Sequence, residues 1–178
     1  TILAAKVDGA VVDLSCALSE SSIVEALRFD SAEGREVYRH SSTHLMAQAV
    51  KELFPSAQLT IGPALEDSFY YDFAFERPFT PEDLQRIEER AAEIIKRNLA
   101  ITRREFSKQD AIDFFTSRGE HYKVELIQGF PDGEPITAYT QGDFVDLCRG
   151  PHLPTTGVIG AIKLLTTRGA YWRGDERN

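Results

Sequence analysis

Two short stretches hold most of the residues in this chain that can do chemistry. "RHSSTHLMAQAV", residues 39–50, carries His40 and His44, and "DLCRGPH", residues 146–152, carries Cys148 and His152. The chain has four histidines and two cysteines in all, so these two stretches concentrate both residue types. Residues four apart on a helix are neighbours in space, and His40 and His44 therefore present two imidazoles to one point. The second pair has the same interval on a different backbone. Pro151 lacks an N–H and turns Gly150 away from helix, which makes "CRGPH" a strand end running into a loop. Taken singly, each half has an ordinary explanation, as a surface coincidence on a helix or as a structural Gly-Pro loop. If helix and loop pack together, the four side chains converge on one pocket.

Three chemistries can use such a set. Imidazoles with one thiolate are a zinc ligand combination, closed when structural and open when catalytic. A Cys–His pair can be a nucleophile and its base. Histidines titrating near neutrality can orient and deprotonate a water beside an ester with no metal at all. Spacing alone does not choose among them.

The elements that must position these groups follow from periodicity and punctuation. From Glu36 to Phe54 the apolar residues Tyr38, Leu45, Met46, Ala49, Val50 and Leu53 recur at helical intervals, and Pro55 supplies a stop. This stripe is centred well away from His40 and His44, which places the histidines off the core face. "TPEDLQRIEERAAEIIKRNLA" opens with Thr80 as N-cap and Pro81 at the first helical position, then repeats Leu84, Ile87, Ala91, Ile94, Ile95 and Leu99. Ser107 and Asp110 start a shorter helix that carries Phe114 and Phe115 and ends at Gly119. Asp8-Gly9 between two apolar runs predicts a type I′ hairpin. "SFYYDFAF", residues 68–75, alternates as a strand does, and strand-like runs follow at 122–128, 136–148 and 158–166. The polar stretch "FDSAEGREVY" marks a boundary near residue 30. Helices concentrate in the first two thirds and strands in the rest, so the fold class is α+β, with helices packed on a mostly antiparallel sheet. There is no internal repeat.

At 178 residues the chain has room for one well-buried domain and a small appendage, or for two small domains. Hydrophobic residues at 42% and charged residues at 27% are ordinary for a globular protein and speak against disorder. No apolar run approaches the roughly 20 residues that span a bilayer, and the two distant cysteines fit a reducing, cytoplasmic setting. A net charge of −8 disfavours holding nucleic acid by the domain's own field. Thr1 in place of Met fits an excised piece.

The stretches "RHSSTHLMAQAV", "IGPALEDSFYYDF", "GEHYKVEL", "DLCRGPH" and "RGAYWRGD", taken together, resemble the editing domain of bacterial threonyl-tRNA synthetases over about residues 36–175. Alanyl-tRNA synthetase editing domains share the His-x-x-x-His and Cys-x-x-x-His frame but usually read Cys-Gly-Gly-Thr-His. Arg149, Pro151 and "AYWRGD" favour the threonyl branch. Residues 1–30 resemble the later part of a TGS domain, a ubiquitin-like β-grasp module whose beginning would lie outside this chain; residues 31–178 would be the editing domain.

The resemblance implies post-transfer editing, the hydrolysis of serine wrongly esterified to threonine tRNA. Carried over residue by residue, His40, His44, Lys123, Cys148 and His152 are the implied catalytic set, and Asp146, Tyr70, Tyr71 and Arg149 the implied substrate-binding set. Lys123 and His40 would position and activate water, Asp146 would take the seryl ammonium, and Tyr70, Tyr71 and Asp72 could stack on the tRNA end. The implied partners are the tRNA(Thr) acceptor end carrying serine and the remainder of a synthetase chain, with no membrane. Zinc is permitted by the ligand types and is bound by the alanyl relatives, yet the threonyl branch implies a metal-free site, which an ammonium at Lys123 suits. ATP and a further zinc would belong to an aminoacylating core. No Gly-rich phosphate loop is present, so this chain is not expected to aminoacylate. The alternatives are a zinc-dependent deacylase of the alanyl type, a non-catalytic tRNA-binding module, and a thiol hydrolase using Cys148.

Overall fold

A computed structural model describes residues 1–18 and 21–169. Asp8 and Gly9 both take positive φ, 49° and 90°, as the two central positions of a type I′ turn require. They join β1 (Ala4–Val7) to β2 (Ala10–Val12), and β3 (Val24–Leu27) pairs with the other edge of β1, all antiparallel. Leu3, Ala4 and Leu27 of this small sheet are buried in the same apolar cluster as the helices that follow.

Ser31 caps α1 (Ala32–Leu53) by accepting from the Gly34 N–H. One face of α1 packs on α2 (Pro81–Arg97), whose N-terminus is closed by a reciprocal Thr80–Asp83 capping box with Pro81 in the first turn. The opposite face of α1 is covered too. Every residue from Ser41 to Val50 is buried, His44 among them, so the histidines are not on an exposed surface. The apolar stripe marks only the side toward α2. Small and polar residues line the other side, which meets the sheet β6 (Ile101–Phe106), β7 (Ile136–Gln141) and β8 (Phe144–Leu147), antiparallel in that order. Gln141 donates from its amide to Gln48 Oε1 at 2.8 Å and ties β7 to α1.

Strand alternation then decides what each face of this sheet meets. Ile136, Ala138 and Val145 pack with Ala111, Phe115 and Ile127 of a second helical layer, whereas Tyr139 and Phe144 join the α1 side. That second layer is α3 (Lys108–Ser117), capped by Ser107, and α4 (His121–Gln128), with Gly119 at φ 72° turning the chain between them.

Three of the expected strands differ. Residues 122–128 belong to α4, because a seven-residue run fits either period and packing against α3, where Ile127 joins Ala111 and Phe115, selects the helix. Of residues 68–75 the only named strand is β5 (Phe73–Ala74), paired with β4 (Gln58–Leu59), with a lone antiparallel bridge from Phe69 to Ala64; Phe69, Tyr71, Phe73 and Phe75 do face the core while Tyr70 is exposed. Residues 158–166 form no ladder: a 3₁₀ turn (Thr156–Val158) leads into chain held by the Tyr38 hydroxyl at Gly160 and by Glu88 at Lys163 and Leu164. No helix among the described residues is long and apolar enough to cross a membrane.

The α2 cap has a measurable pH signature. The Arg77 guanidinium, with the Thr80 N–H, holds the Asp83 carboxyl down at about 2. A carboxylate so depressed stabilises the fold fully above its unfolded value near 4, and that contribution is lost as pH falls toward 2. Asp83→Asn is expected to cost about 1–2 kcal/mol at pH 7. Thermal unfolding of variant and parent should converge between pH 4 and 2; a gap that stays constant there would remove the ion pair from the account.

Candidate active site

The loop after β8 brings the two sequence halves together. Cys148 extends the ladder past β8, donating its N–H to Thr137 O at 3.1 Å, while its carbonyl accepts from Thr137 Oγ1 at 2.6 Å. Gly150 then takes φ 73°, and a Cβ there would lie 2.0 Å from the Tyr139 hydroxyl oxygen, so only glycine passes this point. The Gly150–Pro151 peptide is cis. The turn returns His152 to Cys148: Sγ lies 3.3 Å from His152 Nε2 and 3.1 Å from His40 Nε2. One donor atom from each of His40, His44, Cys148 and His152 falls within 4.8 Å of all the others.

His152 is the centre of the cluster, its ring 4.3 Å from those of both His40 and His44. Ser41 fixes it from the far side, with Oγ 2.9 Å from His152 Nδ1 and accepting the Leu153 N–H at 3.0 Å. The contacts form one chain, Ser41 to His152 to Cys148 to His40, in which each neutral ring can donate from one nitrogen and accept at the other. Burial pushes the His44 and His152 pKa values well below the ordinary imidazole range and lowers His40 less, because Asp146 opposes the shift. Burial also drives the Cys148 thiol up to about 12. At neutral pH the cluster is therefore three neutral imidazoles and a protonated thiol. That state disfavours Cys148 as a nucleophile, which would have to be a thiolate.

Beside this neutral cluster lies a buried ion pair. Lys123, reaching from α4, places Nζ 2.7 Å from Asp146 Oδ1 and donates to Thr60 O. Tyr71 donates to Asp146 Oδ2 at 2.6 Å, and both Lys123 and Asp146 are almost wholly inaccessible. Oδ1 is thus taken up by the ammonium, as Oδ2 is by the tyrosine hydroxyl. His44 Nε2 stands 3.8 Å from Oδ2; with the imidazole neutral, this is a dipolar contact and not a salt bridge.

Both groups open onto one cavity of about 930 Å³, within the roughly 300–1,000 Å³ of small-ligand sites. Of the residues singled out by sequence, His40, His44, Lys123, Asp146, Cys148 and Arg149 line it. His152 lies behind Cys148 at 1% exposure. Tyr71 differs from the expectation of a stacking platform: it is buried, stacked on Phe73 at 4.7 Å, and spends its hydroxyl on Asp146. Tyr70 is exposed and is not in the lining. Sequence reasoning passed over Ser41, which sits between the two histidines in the quoted stretch, and Gly62 in "IGPA". A Cβ at Gly62 would come within 2.2 Å of the Tyr71 ring, so this wall needs glycine to leave the tyrosine in place. The stretch "RGAYWRGD" lies largely outside the described residues.

Among the described residues, His40, His44, Cys148 and His152 form the group that could hold a metal ion, and by type they suit zinc. The Ser41 bond to His152 Nδ1 is the kind of contact that orients a ligating imidazole.

Residues 136–178 match the family of the threonyl and alanyl tRNA synthetase second additional domain. Threonine–tRNA ligases are similar along 99% of this chain: 57% identical in Pelobacter propionicus, 56% in Acidithiobacillus ferrooxidans and 55% in Symbiobacterium thermophilum. The chain spans only 27–28% of the length of these relatives. It is thus a homologue, along essentially its whole length, of the part of threonine–tRNA ligases that carries the second additional domain.

Proposed function

We propose that the cavity hydrolyses the ester of serine wrongly attached to the 3′ end of threonine tRNA, with residues 31–178 acting as the editing domain of a synthetase and residues 1–30 as a TGS-like portion. The carrying observation is that a cation (Lys123), the carboxylate paired with it (Asp146) and a neutral imidazole (His40) line one cavity. The relatives' name, threonine–tRNA ligase, supplies the chemical need. Serine lacks one methyl of threonine, and a methyl-sized difference gives only roughly 10- to 200-fold discrimination by binding. A second site that admits serine and refuses the extra methyl makes up the shortfall, since overpacking costs about 1–3 kcal/mol.

In this reading the Asp146 carboxylate, paired with Lys123 before substrate arrives, takes the seryl ammonium as a further partner. A water reaching His40 Nε2 displaces the thiol, a weak donor, and gives up its proton to the imidazole as its oxygen attacks the ester carbon. Lys123 stabilises the oxyanion. Collapse of the tetrahedral adduct breaks the bond to the ribose oxygen, which takes the proton back from His40. Cys148, His44 and His152 shape the wall. Zinc is not required: the ammonium of Lys123, one carboxylate away from His44, would repel a dication bound to the cluster. Arg103 and Arg149 at the cavity offer charge to the acceptor end, but with a net charge of −8 the affinity for whole tRNA is weak and falls with salt.

Side-by-side incubation with seryl- and threonyl-tRNA should clear the seryl ester selectively; equal loss of both, or tRNA binding with no cleavage, defeats the proposal. Lys123→Ala should lower seryl-ester hydrolysis by at least about 100-fold in a protein that still folds, and full activity in that variant would take Lys123 out of the mechanism. Cys148→Ala should retain a measurable rate, whereas complete loss would favour a thiol nucleophile. Elemental analysis of the purified protein should find zinc well below one per chain; stoichiometric zinc with activity on alanyl-tRNA would favour the alanyl-type alternative.

A further inference from the structure

We infer that Asp13 is a positioning residue for the Cys148–His152 loop, so that the small N-terminal sheet is a working part of the site; the inference rests on the hydrolytic reading above. Asp13 directly follows β2, and its two carboxylate oxygens reach different parts of the cluster's support. Oδ1 accepts the His152 N–H at 2.7 Å, and Oδ2 accepts the Tyr139 hydroxyl at 2.6 Å. Tyr139 in turn lies over His152, ring to ring at 4.4 Å, and its hydroxyl fills the space beside Gly150. One side chain therefore fixes the backbone at the end of the loop and the aromatic lid over its middle.

The seat from which Asp13 does this is firm. Its own carbonyl accepts the Cys16 N–H at 3.0 Å, the adjacent Val12 is paired with Ala5, and Leu3, Ala4 and Leu27 anchor the sheet in the main core. Both bonds are charge-assisted and partly shielded, and such bonds are stronger than neutral ones. Without the carboxylate, the His152 N–H and the Tyr139 hydroxyl lose their acceptor together. The ring contacts at Sγ, 3.1 and 3.3 Å long, then depend on a loop held at one end only. Asp13 does not line the cavity, so its influence on substrate passes through His152, Tyr139 and the loop.

The test compares the chain with Asp13→Ala, Asp13→Asn and Tyr139→Phe, all in a Cys16→Ser background so that iodoacetamide reports on Cys148 alone. Asp13→Ala should lower kcat for seryl-tRNA hydrolysis by at least about tenfold with KM changed less than about twofold, since misplacement of roughly 1 Å costs up to 100-fold in rate. The same variant should alkylate at Cys148 at least about fivefold faster as the loop loosens. Asp13→Asn keeps an oxygen for the His152 N–H and should recover most of both properties. Unchanged kcat and unchanged alkylation in a folded Asp13→Ala protein overturn the inference. If the parent shows no hydrolysis, the functional reading fails by itself and alkylation alone decides the clamp. Should Asp13→Ala not fold by thermal melting, Tyr139→Phe decides instead: faster alkylation supports the clamp, and an unchanged rate overturns it.

Discussion

A helix buried on every side must satisfy its polar side chains internally, and this requirement organises the molecule. Ser41, Ser42, Thr43, His44 and Gln48 of α1 are all withdrawn from water. Leaving such groups unpaired costs about 1–3 kcal/mol each. Ser42 and Thr43 bond back to the carbonyls of Tyr38 and Arg39. The others look outward, Ser41 to His152 and Leu153, and Gln48 to Gln141. The contacts that discharge the helix's polar groups are the same contacts that seat the β8 loop, so building the core and building the site are one process.

The electrostatics divide the cavity into a neutral half and a charged half. Three imidazoles and a thiol share protons without net charge, because burial opposes ionisation of each. A few ångströms away Lys123 and Asp146 remain as a buried pair, which is tolerable only because Tyr71 and the Thr60 carbonyl take up further bonding capacity. Lys123 is itself held in place by a second buried carboxylate. Glu120, at the N-cap of α4, accepts the Leu59 N–H at 2.9 Å and pairs with Lys51 of α1 at 2.7 Å. The helix carrying the cation is thereby stapled beside Thr60, whose carbonyl that cation meets.

Much of the architecture was legible because it is local. Asp8-Gly9, the Thr80-Pro81 start and the Ser107-to-Gly119 helix are each decided by a few neighbouring residues, through turn sterics and terminal hydrogen bonds. The same holds for the two halves of the cluster, since an i,i+4 pair on a helix and a proline-bent loop declare their shapes without reference to the rest of the chain. Where a window was short, as in "HYKVELIQ", local preference was divided and packing against α3 settled it.

What the amino-acid order determined by itself, then, was the first hairpin, the capped helices and the residue types able to do chemistry. Tertiary structure alone decided that α1 is covered on both sides, that Tyr71 supports a carboxylate instead of offering its face, and that Ser41, Gly62 and Asp13 matter at all. The reason is distance along the chain. Ser41 meets His152 across 111 positions, Tyr71 meets Asp146 across 75, and Asp13 meets His152 across 139. Periodicity and capping act within a few residues, whereas the partner of a buried polar group is known only once two remote surfaces have closed on each other.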